Sequence, residues 1–354
     1  MSVPAPSRPI LSVRRLKVEY PLPGVWPWSR RDLLRAVDDV HFDLQPGETL
    51  GIVGESGCGK STLARALVGL QPVTAGGIVF DGRDVARFDE AQWRPLRRDI
   101  QMVFQDPLGS LDPRMTIAES VAEPLAALCP ELDAAGRAAW VAEALERVGL
   151  SLRLGGSFPH ELSGGQCQRA GIARALVARP RILVCDEPVS ALDVSVQAQV
   201  LNLLATLQRE EGLSMIFIAH DLAVVRHLCH RVLVMYLGRV MEQAPAEELF
   251  ARPRHPYTRA LLASVPGAGV EPALLSGELP NPASPPSGCV FRTRCPMADG
   301  LCAREIPYLR RVGERSHAAC HYVQGGEPGT PGEMLREGVV GAARRSSAPP
   351  RARS

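Results

Sequence analysis

Apolar and polar positions alternate along the first part of the chain. Leu11, Val13, Leu16 and Val18 recur through residues 10–20, and a second extended run covers Val37 to Leu44 before the turn pair Pro46-Gly47. A period near two predicts two strands. Between them PLPGVWPWSRRD is a Pro-rich insertion carrying Trp26 and Trp28. Its tryptophans suit packing on the strand edge, the commoner use of aromatics, or a partner-facing loop. TLGIVG is a compact apolar run of strand type, and STLARALVGL then sets Leu63, Ala66, Leu67 and Leu70 at helical spacing. Residues 115–148, rich in Ala, Glu and Leu, predict helices, and ILVCDEP and SMIFIAH predict a second cluster of strands. Strands alternating with helices predict an α/β fold around a parallel sheet.

From about Pro266 the composition turns to Pro, Gly and Ser, then to a cysteine cluster, and GAARRSSAPPRARS has the makeup of a disordered tail. No internal repeat is evident. The 354 residues are 45% hydrophobic and 22% charged, enough for one large domain with an extension. Forty basic residues against 38 acidic ones leave a net charge of +2, so nothing electrostatic argues for nucleic acid as a ligand. No stretch reaches the roughly 18–20 apolar residues of a membrane span, and MSVPAPSRP lacks a signal-peptide apolar segment, so the chain is expected in the cytosol.

Lysine occurs only at positions 17 and 60, every other basic residue being arginine. Lys60 lies in GESGCGKST, which matches the phosphate-binding pattern G-x-x-x-x-G-K-[ST]. Gly54, Gly57 and Gly59, with Glu55, Ser56 and Cys58 between them, let successive backbone N–H groups converge on phosphate oxygens at a helix N-terminus. Lys60 supplies a compact ammonium for the β- and γ-phosphates, a role a planar guanidinium fills poorly. Ser61 suits Mg²⁺, and Thr62 completes the loop. In RILVCDEP an apolar strand delivers Asp186 and Glu187 to its carboxyl end, where α/β sheets bind ligands. Asp186 suits the Mg²⁺ shell, and Glu187 suits polarising the attacking water. Alone, such an acidic pair is more often a solvated turn; beside a phosphate loop it has work to do.

A third element, ELSGGQCQR, sets Ser163, Gly164, Gly165 and Gln166 ahead of the helical run RAGIARALVA, a second ready anion site. One ATP needs one cradle, so a second suggests a nucleotide held between two chains. With LSGGQ the chain resembles the ATP-binding-cassette ATPases. That resemblance implies a P-loop (RecA-like) core with an antiparallel β subdomain, a helical signature subdomain and Mg-ATP as substrate. It implies that Gln105 in MVFQDP senses γ-phosphate and metal, that the segment Ser190, Ala191, Leu192, Asp193 joins two active sites, and that His220 in FIAHD contacts γ-phosphate. Tyr20 is the candidate for stacking on adenine, with Phe42 competing.

Beyond the cassette, ARPRHPYTRALLASVPG, centred on His255, Pro256, Tyr257 and Thr258, resembles the extension of oligopeptide and dipeptide importer ATPases. The resemblance spans residues 10–322 and implies a cassette over 10–265, an extension over 266–325 and a tail over 326–354. It implies two transmembrane permeases, an extracytoplasmic solute-binding protein and a place on the cytoplasmic face of the inner membrane. The connector before the phosphate loop and IQMVFQDPLGSLDPRM resemble one of two paired ATPases, implying a heterodimer with a sister subunit. A soluble cassette ATPase acting on ribosomes or DNA is the alternative; such proteins usually carry two cassettes or a long coiled-coil insertion, and this chain has neither.

Five cysteines are dispersed, at 58, 129, 167, 185 and 229, and four are gathered as Cys289, Cys295, Cys302 and Cys320. In a cytosolic protein such a cluster points to a metal more than to disulfides, but its spacing is not that of CxxC zinc pairs. It resembles the importer ATPases' cysteine motif, which implies a 4Fe-4S cluster; zinc or free thiols are the alternatives. His317 and His321 flank Cys320 and read as surface histidines beside a site already complete with four ligands.

Overall fold

The computed structural model describes residues 8–22, 33–264 and 277–323. The insertion with Trp26 and Trp28, the stretch 265–276 and the tail lie outside the described residues. In chain order the strands and α-helices begin with β1 (Leu11–Pro21), β2 (Leu33–Leu44), β3 (Thr49–Val53), α1 (Lys60–Leu67), β4 (Ala75–Phe80), β5 (Arg83–Asp84), α2 (Glu90–Leu96) and β6 (Ile100–Val103). Next come α3 (Ile117–Leu128), α4 (Ala134–Arg147), α5 (Gly164–Leu176), β7 (Ile182–Asp186), α6 (Val194–Glu211), β8 (Ser214–Ala219) and α7 (Leu222–Leu228). The chain continues through β9 (Arg231–Tyr236), β10 (Arg239–Pro245), α8 (Ala246–Ala251), α9 (Pro256–Ala263), α10 (Gly300–Arg304), β11 (Arg310–Arg311) and β12 (His317–Ala318).

The strands form two sheets. One is antiparallel, in the order β2-β1-β4-β5. The other runs β11-β12-β10-β9-β3-β8-β7-β6, with β9, β3, β8, β7 and β6 mutually parallel and the three strands beyond β9 added antiparallel. Parallel strands must bury both faces, which explains why TLGIV, ILVCD and SMIFIA are almost unbroken apolar runs. On β7, Leu183 and Cys185 join one core, while Ile182 and Val184 join the other. The first core packs under α3–α7 and the C-terminal extension; the second lies under α1, α2 and the antiparallel sheet.

The expected helix from Ser61 to Leu70 is shorter than its apolar spacing suggests. α1 ends at Leu67 because Gly69 turns left-handed (φ +71°) against the Trp93 ring, and Leu70 is left exposed. The helical run from residue 115 is two helices. Each starts on a side-chain cap, Thr116 with Glu119 for α3 and Asp133 for α4, a feature worth about 1 kcal/mol per helix. Phe42 is buried in the core beneath the antiparallel sheet, which removes it as an adenine-stacking candidate.

Candidate functional site

β3 ends in the glycine-rich loop, whose shape demands glycine at two positions. A Cβ on Gly59 (φ +102°) would collide with the Ala36 carbonyl, and one on Gly54 would collide with the Met235 carbonyl. Lys60 is 4% exposed, and its Nζ donates to the carbonyls of Gly54 (2.9 Å) and Glu55 (3.1 Å), closing the loop around its own base. Gly238 N–H donates to Cys58 O, which ties the loop to the β9–β10 turn. Burial pushes the Cys58 thiol up, in keeping with a packing role.

Asp186 and Glu187 leave β7 beside this loop. Asp186 is buried and accepts a hydrogen bond from Ser61 Oγ at 3.0 Å. Burial raises its carboxyl above the usual range, only partly offset by that bond. A desolvated carboxylate joined to a loop serine is a fitting donor pair for Mg²⁺. Glu187 stands at φ +46°, a left-handed conformation that side chains rarely adopt. Its carboxylate gathers three partners: Gln105 Nε2 at 3.2 Å and His220 Nδ1 at 3.3 Å, both on Oε2, and Lys60 Nζ at 3.9 Å from Oε1. Beside Gln105 and Asp186 opens a cleft of about 1170 Å³ whose lining includes Arg65, Arg94, Asp106 and Arg174.

Among the described residues, no hydrogen bond joins the side chains of Ser163 and Gln166 to this cluster. They form a capping box at the start of α5, Ser163 Oγ accepting from Gln166 N–H and Gln166 Oε1 from Ser163 N–H. Gly164 and Gly165 lie against Leu192 and Val196, and a Cβ on Gly165 would collide with Val196. The segment Ser190–Asp193 therefore bridges the two regions, because Ser190 Oγ also donates to Glu187 O at 3.0 Å. Asp193 starts α6 with no side-chain cap bond. Tyr20 is half-buried on β1, its hydroxyl donating to Gln71 at 2.9 Å.

α9 and the cysteine-rich segment both reach the same loop. The Tyr257 hydroxyl accepts from Glu55 N–H at 3.0 Å, and Arg294 Nη1 donates to both Glu55 carboxylate oxygens at 3.0 and 2.7 Å. His255 is wholly buried, accepts from Tyr257 N–H to cap α9, and has its pKa lowered to about 4 by burial. Sequence reasoning missed Arg294 altogether; only its place among the clustered cysteines marked the segment.

All four clustered cysteines are free thiols, Cys289 and Cys302 buried, Cys295 and Cys320 partly so. Burial first, and then the neighbouring Cys302, Cys295 and Cys320, push the Cys289 thiol up to about 11, so the four share one neighbourhood. They are not closed around a centre. Among the described residues no group of three or more His, Cys, Asp or Glu side chains is assembled to hold a metal ion, so the expected four-ligand site is not preformed.

Residues 37–190 match the family described as "ABC transporter", and residues 241–302 match "Oligopeptide/dipeptide transporter, C-terminal region". The oligopeptide transport ATP-binding protein OppF of Salmonella typhimurium is 52% identical over 317 residues, 87% of this chain and 94% of that protein. OppF of Escherichia coli is 53% identical over 308 residues (85% and 92%), and a putative peptide import ATP-binding protein of Brucella ovis is 51% identical over 320 (88% and 97%). Among solved structures, the ATP-binding cassette MJ0796 in a dimeric post-hydrolysis state with ADP and Pi superposes with a TM-score of 0.60 at 29% identity, covering 67% of this chain and 98% of that one. The cbiO1 structure from Clostridium perfringens, part of the cbiONQ transporter complex, gives 0.59 at 31% identity, covering 69% and 91%.

The fold and the loop define a P-loop ATPase of the cassette type. The chain belongs to the ABC transporter family, on the branch of the oligopeptide transport ATP-binding proteins. Among its described residues no helix is long and apolar enough to cross a membrane.

Proposed function

We propose that this chain hydrolyses ATP to power import of di- or oligopeptides, or a similar small solute, from the cytoplasmic face of a bacterial inner membrane. The observation that carries it is the convergence of Lys60, Gln105 and His220 on Glu187 beside the phosphate loop. Gly54–Thr62 hold the triphosphate, with Tyr20 against adenine. Ser61, Asp186 and Gln105 would hold Mg²⁺, which when bound would neutralise charge on the phosphates. Glu187 takes the proton of the attacking water. His220 and Gln105 orient Glu187 and face the γ-phosphate.

Two ATPases close head to tail, Ser163–Gln166 of one completing the nucleotide site of the other and Asp193 at the seam. A sister subunit is the expected partner, giving a heterodimer. Closure on ATP and opening after hydrolysis move two attached permeases, which take solute from an extracytoplasmic binding protein. Support comes from the bond between Ser190 Oγ and the backbone carbonyl of Glu187 and from the packing of Gly164 and Gly165 on Leu192 and Val196, which make one connected path from the backbone of Glu187 to the signature. The cassette runs over 10–265, the extension over 266–325 and the tail over 326–354, and nucleic acid has no part.

Cys289, Cys295, Cys302 and Cys320 fit a 4Fe-4S cluster by donor chemistry, four free thiols in one neighbourhood that must draw closer to ligate it. Anaerobic purification followed by iron and sulfide analysis tests this: four of each per chain support it, and zinc or no metal rejects it.

Co-purification from native membranes in mild detergent, with mass spectrometry of stoichiometric partners, tests the whole. Two permeases and a second ATPase are expected. Ribosomal or DNA-repair partners without membrane proteins would leave an ATPase and remove transport.

A further inference from the structure

The cysteine-rich extension makes an ion pair with the phosphate loop across 239 residues of sequence. Arg294 sits directly before Cys295, and its side chain is 8% exposed. Its guanidinium contacts only one group of opposite charge among the described residues, the Glu55 carboxylate, which is 23% exposed. The pair is held from behind. Phe291, two residues after Cys289, packs edge-on against Tyr236 (5.3 Å) and at a tilt against Tyr257 (5.3 Å), and the Arg294 guanidinium lies 6.0 Å from the Tyr236 ring. Arg294 N–H donates to Phe291 O, and Cys289 N–H to Cys302 O, so the turn bearing Arg294 is part of the cysteine segment's own hydrogen-bonded frame.

Glu55 is a carboxylate in the loop whose neighbours are to receive a triphosphate. Uncompensated, it would repel that anion and draw the loop toward solvent; paired, it anchors the loop at Glu55 while Tyr257 fixes the same residue's N–H. We infer that Arg294 is a positioning residue for ATP binding, acting through Glu55, so that the order of the four-cysteine segment and the affinity of the phosphate loop are coupled. The inference rests on the assignment of Gly54–Thr62 to the triphosphate.

The test is ATP titration of the purified transporter complex, reading KM and kcat of hydrolysis and the binding of a fluorescent ATP analogue. Arg294→Gln is expected to raise KM about tenfold, with the change carried by KM rather than kcat. Arg294→Lys is expected to stay within about threefold of wild type, and Glu55→Gln/Arg294→Gln to recover most of the loss, because removing the carboxylate removes the repulsion. Glu55→Gln alone, which does not depend on Arg294→Gln folding, is expected to lower KM, because it takes a negative charge away from the loop that receives the phosphates. An Arg294→Gln variant with wild-type KM, a double variant no better than Arg294→Gln, or a raised KM in Glu55→Gln would overturn the inference while leaving the nucleotide site intact. A wild-type complex that binds no ATP overturns both.

Discussion

Gln105 Nε2 lies 3.2 Å from Glu187 Oε2, joining the segment after β6 to the end of β7 next to the cleft that Gln105 and Asp186 line. Gln105 precedes the loop that leads to α3, so one hydrogen bond ties the Glu187 carboxylate to that connection. The neighbouring His220 contact on the same oxygen makes Glu187 the meeting point of three strands' ends.

Replacing Glu187 with Gln keeps the side chain's size but removes the carboxylate proposed as the base, and with it the ion pair to Lys60. ATP binding should persist while kcat falls by about 10²–10⁴, the usual contribution of a general base. Nucleotide titration beside steady-state hydrolysis checks it, and turnover near the wild-type rate would remove Glu187 from the role.

Gly59→Ala asks a residue with a Cβ to adopt φ +102° where the Ala36 carbonyl already stands. The loop must shift, at a cost of about 1–3 kcal/mol. Loss of ATP binding with a lowered melting temperature is expected, and a variant that binds ATP normally would show that the loop relaxes on its ligand.

Gly165→Ala drives a methyl into Val196, separating the signature helix from the segment that leads to Glu187. Overpacking of this kind costs about 1–3 kcal/mol. Hydrolysis should fall while ATP binding by the single chain is kept, and Val196→Ala in the same chain should restore hydrolysis. Failure of that rescue would place the effect of Gly165 elsewhere.

Acid should destabilise the packing around α9 through His255. Its pKa is about 4 in the folded chain against an ordinary value near 6.5, so the folded state resists protonation. Stability is therefore complete above about pH 6.5 and is lost as pH falls toward 4, by about 3 kcal/mol in all. His255→Asn, which retains a capping group without titrating, should flatten denaturant midpoints over that range; an unchanged slope would assign acid sensitivity to other groups.

Much of the site could be read from contiguous residues because each motif carries its own geometry. Gly54–Gly59 form one loop leading straight into α1, Asp186 ends one strand with Glu187 directly after it, and Ser163–Gln166 cap one helix. What joins them is long-range and leaves no periodic trace. Two-residue strands such as β12, which pairs His317 with Gln243 and so docks the extension on the main sheet, are too short for an alternation signal. Arg294 gave no sign of its partner because an ion pair needs only one residue at each end. The expected metal ligands show the opposite limit: four cysteines name a chemistry, but their spacing does not say how closely the folded chain brings them together.

The most direct test of the central claim is uptake of a labelled peptide into proteoliposomes holding this chain with its co-purified partners and supplied with binding protein and Mg-ATP. ATP-dependent accumulation that disappears with Glu187→Gln, while that variant still binds ATP, is the predicted result. Accumulation that survives the substitution, or ATP hydrolysis with no peptide movement in a complete complex, would contradict it.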